Sequence, residues 1–492
     1  MKNIVFLLLC ISQYCSAQLA NWTAYKPDKF PTNLSGQIHG QARIAQMKFH
    51  PADANKLYAV TPQGGLFFSN DQAKTWSAAA GTDALAVKTA SICIDYTNDQ
   101  ILYLGGGDPN YYGSGAGIYK STNGGATFSL LTGGLPSNKI VVEIIMHPTD
   151  HHILVAATSG GIYKSTDAGV NWSAQTTTGL QFCDMKQGFG SNNQILFACT
   201  RENEPKLYRS TNFGDTWTVI SSGLTAPTVT PLQAGGRIGL TPADVNVVYF
   251  AMISTGGIVY KSTDAGLSFT QVKAGGAPYL TYYSNDPTSS SQGDYNFCIA
   301  VDRSDANKIW LQAHNTWYAS DGGANWTMLT HWASKVHTDM HQIGQSPYDA
   351  TQLYSCNDGG VWVSTDGGNN WTPKNDGIFA FEIGTYAGKG SPTRRDFINI
   401  GTQDNGELYA DSTGWYTIRG GDWYAHNEMD FRANSTMLYY HENAKRRLHT
   451  GSQTTFGLPN AVNYSTIGFN RMDNQLAFVA LTEGIRGARS RD

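Results

Sequence analysis

The sequence predicts an all-β protein built from about ten copies of one unit, because an eight-residue motif recurs along the chain. Two features of the composition agree with this. Only 15% of the 492 residues are charged, against about 25% in average soluble proteins. Glycine occurs 53 times and aromatic residues make up 12% of the chain. Such a composition is typical of short strands joined by tight turns, and it excludes a disordered chain and long solvated helices.

The first 17 residues have the character of a secretory signal peptide. Lys2 supplies the positive charge, residues 4–11 are apolar, and residues 15–17 carry small side chains before a cleavage site at Gln18. The apolar run is far shorter than the ~20 residues of a membrane-spanning helix. We therefore expect a secreted protein, whether periplasmic, at the cell surface or extracellular, with residues 1–17 removed and no membrane span.

The repeated motif, which we call the box, reads Ser, any residue, Asp or Asn, any residue, Gly, two further residues and an aromatic ring. Its Asp or Asn accepts hydrogen bonds from backbone N–H groups further along the turn, and the Gly supplies a positive φ. The aromatic ring begins the next strand. The seven copies occupy residues 69–76, 121–128, 165–172, 210–217, 262–269, 319–326 and 364–371. Their turn-forming residues are Asp71, Asn123, Asp167, Asn212, Asp264, Asp321 and Asp366.

Each box belongs to a longer unit with a strand before it, then a turn, then an inner strand further upstream. Four strands in about 45 residues make the blade of a β-propeller. We therefore predict a propeller over residues 18–380, followed by degenerate blades over residues 381–492. Residues 490–492 start another box, which favours a chain cut from a longer protein over completion of the last blade by the strand at residues 22–23. Either one ten-bladed ring or a seven-bladed ring running into a second ring fits the spacing.

The boxes resemble the Asp-box (bacterial neuraminidase) repeats of sialidases, sortilin-like domains and xyloglucan-cleaving glycosidases. The opening at residues 31–36, followed by residues 42–44 and 50–51, is similar to secreted bacterial members of that group. The resemblance covers about residues 20–490 and implies a propeller whose boxes lie at the blade periphery as structural turns. It also implies a glycan-directed protein, with a glycoside hydrolase and a sortilin-like protein-binding scaffold as the competing functions.

Ligands of propellers usually bind on the face that carries the connections between the second and third strands. Of the acidic residues in those connections, Asp108, Asp358 and Asp404 are the best placed. Glycoside hydrolysis needs two carboxyl groups, one acid and one base or nucleophile. We take Asp358, Asp404 and Asp422 as the catalytic candidates. The alternative for Asp358 and Asp404 is a plain turn, since Asn-Gly and Gly-Gly follow them.

Two polar clusters supply candidate ligand-binding residues. His337, Asp339 and His341 alternate, and on a strand they would share one face. A single metal ion bound by all three is disfavoured, because alternate positions would spread them over about 13 Å. A hydrogen-bonded His–Asp–His ladder is the simpler interpretation, and a histidine acting as an acid, a base or a glycan contact is a third. The second cluster offers sugar-stacking or core side chains, Trp423, Tyr424 and His426.

Two departures weaken the enzymatic interpretation. The xyloglucan-cleaving relatives carry an acidic residue in the first-blade loop, where this chain has Pro62-Gln63. Sialidases need an arginine cluster, and Arg43, Arg237 and Arg303 lie in no convincing motif for one. These departures favour the non-catalytic scaffold, while the aromatic and acidic loops over residues 335–430 favour the enzyme.

The net charge and the cysteine content limit which partners and cofactors the sequence predicts. The net charge of −4 offers no basic surface for nucleic acid. The five cysteines after residue 17 have no metal-site spacing, and Cys93, Cys199 and Cys298 lie in apolar runs typical of buried thiols. A Cys183–Cys199 disulfide is possible in an exported protein, but the sequence does not favour it. We expect a glycan, polysaccharide, protein or peptide as the partner, with no cofactor and no metal.

Overall fold

The computed structural model describes residue 27 and, with short gaps, residues 29–421. The gaps are residues 84, 86–87, 111–114, 203–204, 226–234, 254–256, 275–292, 332–333, 390–397 and 412. Beyond residue 421 it describes the strand segments 428–430, 436–439, 445–448, 453–455, 464–470, 473–481 and 484–489. Asp422, Trp423, Tyr424 and His426 and the strand expected at residues 22–23 lie outside the described residues.

Each of the first seven sheets is antiparallel and uses four consecutive strands, as the blade prediction requires. Sheet 1 contains β2 (Gln46–Phe49), β3 (Leu57–Thr61), β4 (Gly65–Ser69) and β5 (Ser77–Ala78). Sheet 2 contains β6 (Thr89–Ile94), β7 (Leu102–Gly106), β8 (Ile118–Ser121) and β9 (Ser129–Leu131). Sheet 3 contains β10 (Val141–Met146), β11 (Leu154–Thr158), β12 (Gly161–Ser165) and β13 (Ser173–Ala174). Sheet 4 contains β14 (Phe182–Gln187), β15 (Leu196–Thr200), β16 (Leu207–Ser210) and β17 (Thr218–Ile220).

The next three sheets repeat this arrangement. Sheet 5 contains β18 (Gly236–Leu240), β19 (Val248–Met252), β20 (Ile258–Ser262) and β21 (Thr270–Lys273). Sheet 6 contains β22 (Cys298–Val301), β23 (Ile309–Gln312), β24 (Thr316–Ala319) and β25 (Thr327–Thr330). Sheet 7 contains β26 (Met340–Gln345), β27 (Leu353–Asn357), β28 (Gly360–Ser364) and β29 (Thr372–Pro373).

Three further sheets follow in the described part of the chain. Sheet 8 contains β30 (Ile383–Lys389), β31 (Ile398–Thr402), β32 (Gly406–Asp411) and β33 (Gly414–Arg419), and β1 (Thr32–Asn33) joins it in parallel at β33. Sheet 9 contains β34 (Glu428–Asp430), β35 (Thr436–Tyr439), β36 (Lys445–Leu448) and β37 (Gln453–Thr455). Sheet 10 contains β38 (Tyr464–Asn470), β39 (Asp473–Leu481) and β40 (Gly484–Arg489). Helical structure in the described residues is limited to α1 (Ala80–Asp83) and the 3-10 turn Gly190–Asn192. The all-β prediction is confirmed.

The core lies between neighbouring sheets. The second strands, such as β3 and β11, are buried on both faces, which explains their continuous apolar runs. First strands of consecutive sheets contact one another from β2 through β26, and β26 contacts β2. One core cluster joins Leu57 and Phe67 of sheet 1 to Tyr354 and Val363 of sheet 7. The Trp76 indole donates to the carbonyl of Lys374 at 2.8 Å across the same junction.

Each box forms the turn between the third and fourth strands of its sheet. In the third copy, Asp167 Oδ1 accepts from the backbone N–H of Asn171 at 2.8 Å and from the Ser165 hydroxyl at 2.9 Å. Gly169 has φ +87° and donates its N–H to the Ser165 oxygen, while the Trp172 indole donates to the Gly169 carbonyl. The box carboxylates are therefore occupied in local turns, which agrees with a structural role.

We expect Asp264→Ala to lower the free energy of unfolding by about 1–2 kcal/mol. Its carboxylate accepts from the Ser262 and Ser268 hydroxyls and from the N–H groups of Leu267 and Ser268 at 2.5–3.0 Å. Hydrogen bonds from the two serine hydroxyls lower the pKa of Asp264 to about 2. Its contribution is therefore present above the ordinary pKa of 3.8 and is lost as the pH falls through about 2. Thermal unfolding across this range measures the effect.

Asp264→Asn is the matched control for this prediction, because the boxes with Asn123 and Asn212 use an amide oxygen for the same bonds. We expect the Asn variant to lose less stability than the Ala variant and to lose the acid dependence. Equal losses in the two variants would contradict the assigned hydrogen-bonding role.

Candidate functional site

Polar side chains from distant parts of the chain meet at one end of the first strands. Asp339 immediately precedes β26, His341 is the second residue of β26, and Asp358 lies in the turn between β27 and β28. In an antiparallel sheet the start of the first strand and the turn between the second and third strands lie at the same end. Asp404 occupies the corresponding turn between β31 and β32. This geometry brings Asp339, His341, Asp358 and Asp404 to one place.

Three carboxyl groups converge there. One carboxylate oxygen from each of Asp339, Asp358 and Asp404 lies within 4.8 Å of the other two. Asp358 is 2% exposed and Asp339 8%, while Asp404 is only partly buried. Three negative charges at this spacing repel strongly in a desolvated site, so the group favours holding a proton.

Asp358 is the member that its surroundings make neutral. Burial raises the pKa of Asp358 well above its usual range, and the charge of Asp339 raises it further. Its Oδ1 lies 2.6 Å from His341 Nε2, and its Oδ2 lies 2.7 Å from the Tyr295 hydroxyl. Asp358 is therefore a buried carboxylic acid hydrogen-bonded on both oxygens.

The side chain of Asn110, which contacts His341 at Nδ1, fixes the tautomer of His341. The Asn110 amide nitrogen lies 3.0 Å from His341 Nδ1 and donates at 2.6 Å to the Tyr295 carbonyl. Nδ1 therefore accepts, and Nε2 carries the proton that it donates to Asp358 Oδ1. Burial, then the positive charge of Arg43, lowers the pKa of His341 to about 3, so the ring is neutral.

The Tyr295 hydroxyl lies 2.7 Å from Asp358 Oδ2 and donates to it when Asp358 is a carboxylate. Because Oδ1 accepts from His341 Nε2, a neutral Asp358 carries its proton on Oδ2. The bond to Tyr295 is then reversed, and the Tyr295 hydroxyl can donate its own proton onward. Tyr295 is half-buried and stacks edge-on against His341 with ring centroids 5.1 Å apart. The arrangement can therefore deliver a proton from a buried acid through a phenol.

Asp339 is held in the ionised form. Burial acts to raise its pKa, but the hydrogen bond and charge of His314 outweigh burial and the pKa is lowered. Its Oδ1 lies 3.3 Å from His314 Nδ1 and accepts from the Asn296 amide. Asp339 has φ +58°, a left-handed conformation that is uncommon for a residue other than glycine. Asp339 is therefore ionised and the neighbouring Asp358 neutral. Sites for general acid–base catalysis use such pairs, in which different surroundings push two pKa values apart.

The expected His–Asp–His ladder is wrong. β26 begins at Met340, so residues 337–339 precede the strand and do not alternate along it. His337 Nε2 contacts the backbone oxygen of Asp404 at 3.0 Å, and its Nδ1 contacts the Thr338 carbonyl. The three residues therefore face different partners, yet all three border the carboxyl cluster.

Asp404 lies in a turn and in the site at once, so its two interpretations are compatible. It has φ +60°, and the following Asn405 donates to the Asp358 carbonyl at 3.0 Å. This bond ties the turn of sheet 8 to the turn of sheet 7. Asp404 is the most exposed of the three carboxyl groups in the cluster.

A buried ion-pair network flanks the cluster. Arg43 donates from both terminal nitrogens to Asp108, at 2.9 and 2.5 Å, and from Nε to Glu382 at 2.9 Å. Lys88 adds a contact of 3.3 Å to Asp108. Burial acts to lower the pKa of Arg43, but its hydrogen bonds to Asp108 raise it, so the guanidinium is charged. Asp108 is thus an ion-pair partner of Arg43, which limits its use as a proton donor or acceptor.

Sequence reasoning did not single out Tyr295, Asn296 or Glu382, which contact the site through tertiary approach and lie in no local motif. Asn110 and His314 do lie in connections between second and third strands, but the choice of acidic residues passed over them. The other arginines considered for a carboxylate site do not join Arg43 here. Arg237 and Arg303 line a cavity along the first strands, together with residues such as Glu143 and Lys186. Gln63, in the first-blade loop, is exposed.

A cation is the alternative way to relieve the repulsion in the carboxyl cluster. Asp339, Asp358 and Asp404 are the described residues whose oxygens are close enough to hold one. The two hydrogen bonds to Asp358 leave its oxygens directed at His341 and Tyr295, which favours protonation over metal ligation.

No family model matches the chain. Among curated proteins, it is 23% identical over 334 residues to a xyloglucanase of a Paenibacillus species, covering 57% of this chain and 30% of that protein. It is 30% identical over 175 residues to a probable oligoxyloglucan-reducing end-specific xyloglucanase of Neosartorya fischeri, covering 33% of this chain and 20% of that protein. The chain therefore spans less than a third of the length of these two relatives.

Solved structures resemble the whole chain. An ancestral GH74 enzyme superposes with a TM-score of 0.64 at 15% identity, covering 95% of this chain and 69% of that one. The GH74 xyloglucanase of Xanthomonas campestris gives 0.56 at 15% identity, covering 93% and 79%. The GH74 enzyme of Niastella koreensis gives 0.54 at 17% identity, covering 90% and 76%. These likenesses show that the chain has the propeller-type fold of GH74 enzymes. In the described part of the chain, no helix combines the length and apolarity required to cross a membrane.

Proposed function

We propose that this chain is a secreted, glycan-directed β-propeller that hydrolyses glycosidic bonds at the carboxyl cluster. The observation that carries the proposal is the convergence of Asp339, Asp358 and Asp404 within 4.8 Å, with Asp358 neutral and Asp339 ionised. One proton donor and one carboxylate are what glycoside hydrolysis requires. The xyloglucanase names of the sequence relatives suggest a β-glucan backbone as the first substrate class to test.

Each residue has a distinct role in this proposal. Asp404, the most exposed carboxylate, contacts the sugar and stabilises or attacks its anomeric carbon. Asp358 supplies the proton to the leaving oxygen through the Tyr295 hydroxyl. Asp339 keeps Asp358 neutral by its charge.

A second function is favoured by one observation. Asp358 and Asp339 are 2% and 8% exposed and are hydrogen-bonded to side chains of the same chain. Such burial also suits a structural network beneath a binding surface, as in a non-catalytic propeller that holds a protein or peptide. In that case the face around Asp404 would bind without turnover.

We also propose a seven-bladed first ring followed by the start of a second one. The contact between β26 and β2 and the core shared by sheets 1 and 7 support closure after seven sheets. Sheets 8 to 10 then belong to the next ring, and β1 completes the edge of sheet 8.

The experiment for the hydrolase proposal measures reducing ends released from xyloglucan and other β-glucans, together with binding on a glycan array. We expect the wild type to release reducing ends and Asp404→Asn to do so at least about 100-fold more slowly. Asp366→Asn is the matched control, because Asp366 is a box residue of sheet 7 whose turn tolerates Asn in other copies. It should retain wild-type turnover. Binding without turnover in the wild type would instead support the scaffold.

A further inference from the structure

Two cysteines of sheet 4 face each other across neighbouring strands. Cys183 lies in β14 and Cys199 in β15, and their sulfur atoms are 3.7 Å apart. Both sulfurs lie against the same backbone oxygen, that of Gly236, at 3.6 and 3.1 Å. The strand register shifts between Phe182 and Asp184, so Cys183 is the extra residue of a β-bulge opposite Cys199.

The two thiols differ in access. Cys183 is half-buried and lines a cavity of about 460 Å³ bordered by the first strands of the seven sheets, whereas Cys199 is fully buried. A small reagent in the cavity therefore reaches Cys183 first. Arg237 borders the same part of the cavity and places a positive charge near the sulfurs.

The electrostatics agree with this division. The hydrogen bond from Cys199 outweighs burial and, with the charges of Arg237 and Arg201, lowers the pKa of Cys183. Burial and the same partner raise the pKa of Cys199 well above its usual value. Cys183 is thus the nucleophilic thiolate and Cys199 the proton-bearing partner.

We propose that Cys183 and Cys199 form a redox-active dithiol that small disulfides in the cavity oxidise to an intramolecular disulfide. The Cys183 thiolate attacks one sulfur of the reagent, which forms a mixed disulfide and releases one thiolate. That thiolate takes the proton of Cys199, whose sulfur then attacks the Cys183 sulfur and releases the second thiolate, protonated by solvent. The two protein thiols lose two electrons and two protons in total, and the reagent is reduced to two thiols.

Closure needs only local movement. The sulfurs must approach from 3.7 Å to the ~2.05 Å of a disulfide bond. The bulge supplies the freedom, because its extra residue is not held by the regular ladder. Cys298 and Cys356 also line the cavity, but burial raises the pKa of each, so neither competes as a nucleophile.

The experiment treats the folded full-length chain with 2-hydroxyethyl disulfide, blocks free thiols with iodoacetamide and maps tryptic peptides. Cleavage after Lys186 separates the two cysteines, so a Cys183–Cys199 disulfide joins two peptides that otherwise run apart. We expect the linked peptides from the wild type, and from Cys298→Ser as the matched control. Free, alkylated Cys183 and Cys199 after treatment would overturn the proposal.

Two variants keep the test decisive. Cys199→Ser should stop the reaction at the mixed disulfide and retain one mercaptoethanol group on Cys183. Cys183→Ser should leave Cys199 unmodified, because Cys199 is fully buried. A mixed disulfide on Cys199 in the second variant, or none on Cys183 in the first, would contradict the assigned order of attack. Thermal unfolding of each variant before treatment verifies that it is folded.

Discussion

Asp358→Asn should lower the proposed glycosidase turnover by about 1,000-fold or more while leaving the protein folded. The amide mimics the neutral acid that the site already holds. Its oxygen accepts from His341 Nε2 in place of Asp358 Oδ1. Its nitrogen takes the position of Oδ2, 2.7 Å from the Tyr295 oxygen, and donates there as a protonated carboxyl would. The variant removes only the transferable proton. Reducing-sugar kinetics beside thermal unfolding measure the two effects separately.

The stability of this variant has a defined sign. Because the folded pKa of Asp358 is raised, its contribution to stability is fully present below the unfolded pKa and is lost as the pH rises through the folded value. Asn removes that loss, so the variant should unfold at the same or a higher temperature than the wild type at neutral pH. A marked fall in unfolding temperature would contradict a neutral Asp358.

Asp339→Asn supplies the control on mechanism. The charge of Asp339 raises the pKa of Asp358, so its removal should move the alkaline limb of the pH–rate profile to lower pH. A purely structural Asp339 would reduce activity at every pH without moving that limb.

Tyr295→Phe should lower kcat with little change in KM, since the phenol would act on the proton and not on ground-state binding.

How far the sequence predicts this site depends on the origin of each contact. Asp358 and Asp404 were predictable because each lies in a turn between the second and third strands, and those turns share one end of a propeller. The box at residues 364–371 fixed the strands around Asp358, whereas the strands around Asp404 follow the last box and were placed by their apolar pattern alone. Asp339 and His341 were predicted as site residues because histidine and aspartate cluster there. The strand geometry predicted for residues 337–341 was wrong, because β26 begins only at Met340.

The remaining contacts depend on tertiary approach and leave no local pattern. Arg43 meets Glu382 across 339 positions of sequence, and Asn110 meets His341 across 231. Tyr295 lies in the connection between β21 and β22, outside every box. The protonation state of Asp358 could not be predicted from the sequence either. Its neutrality arises from burial and from the charge of Asp339, not from its neighbours in sequence.

Arg43→Met should lower the free energy of unfolding by about 3–5 kcal/mol. Arg43 is 2% exposed and Asp108 4%, so the change leaves the Asp108 carboxylate buried with Lys88 as its remaining basic contact. Glu382 loses the same partner. Chemical denaturation followed by circular dichroism measures the loss.

A partly exposed ion pair of equal closest approach tests the effect of burial. Lys56 and Asp99 also approach to 2.5 Å, but their side chains are 33% and 27% exposed. Lys56→Met should therefore cost no more than about 1 kcal/mol. The double variant Arg43→Met/Asp108→Asn should recover a large part of the loss, because it removes the charge that the single variant leaves unpaired. If Arg43→Met costs no more than Lys56→Met, or if the double variant recovers nothing, then the buried network does not stabilise the junction beneath the carboxyl cluster in the way described.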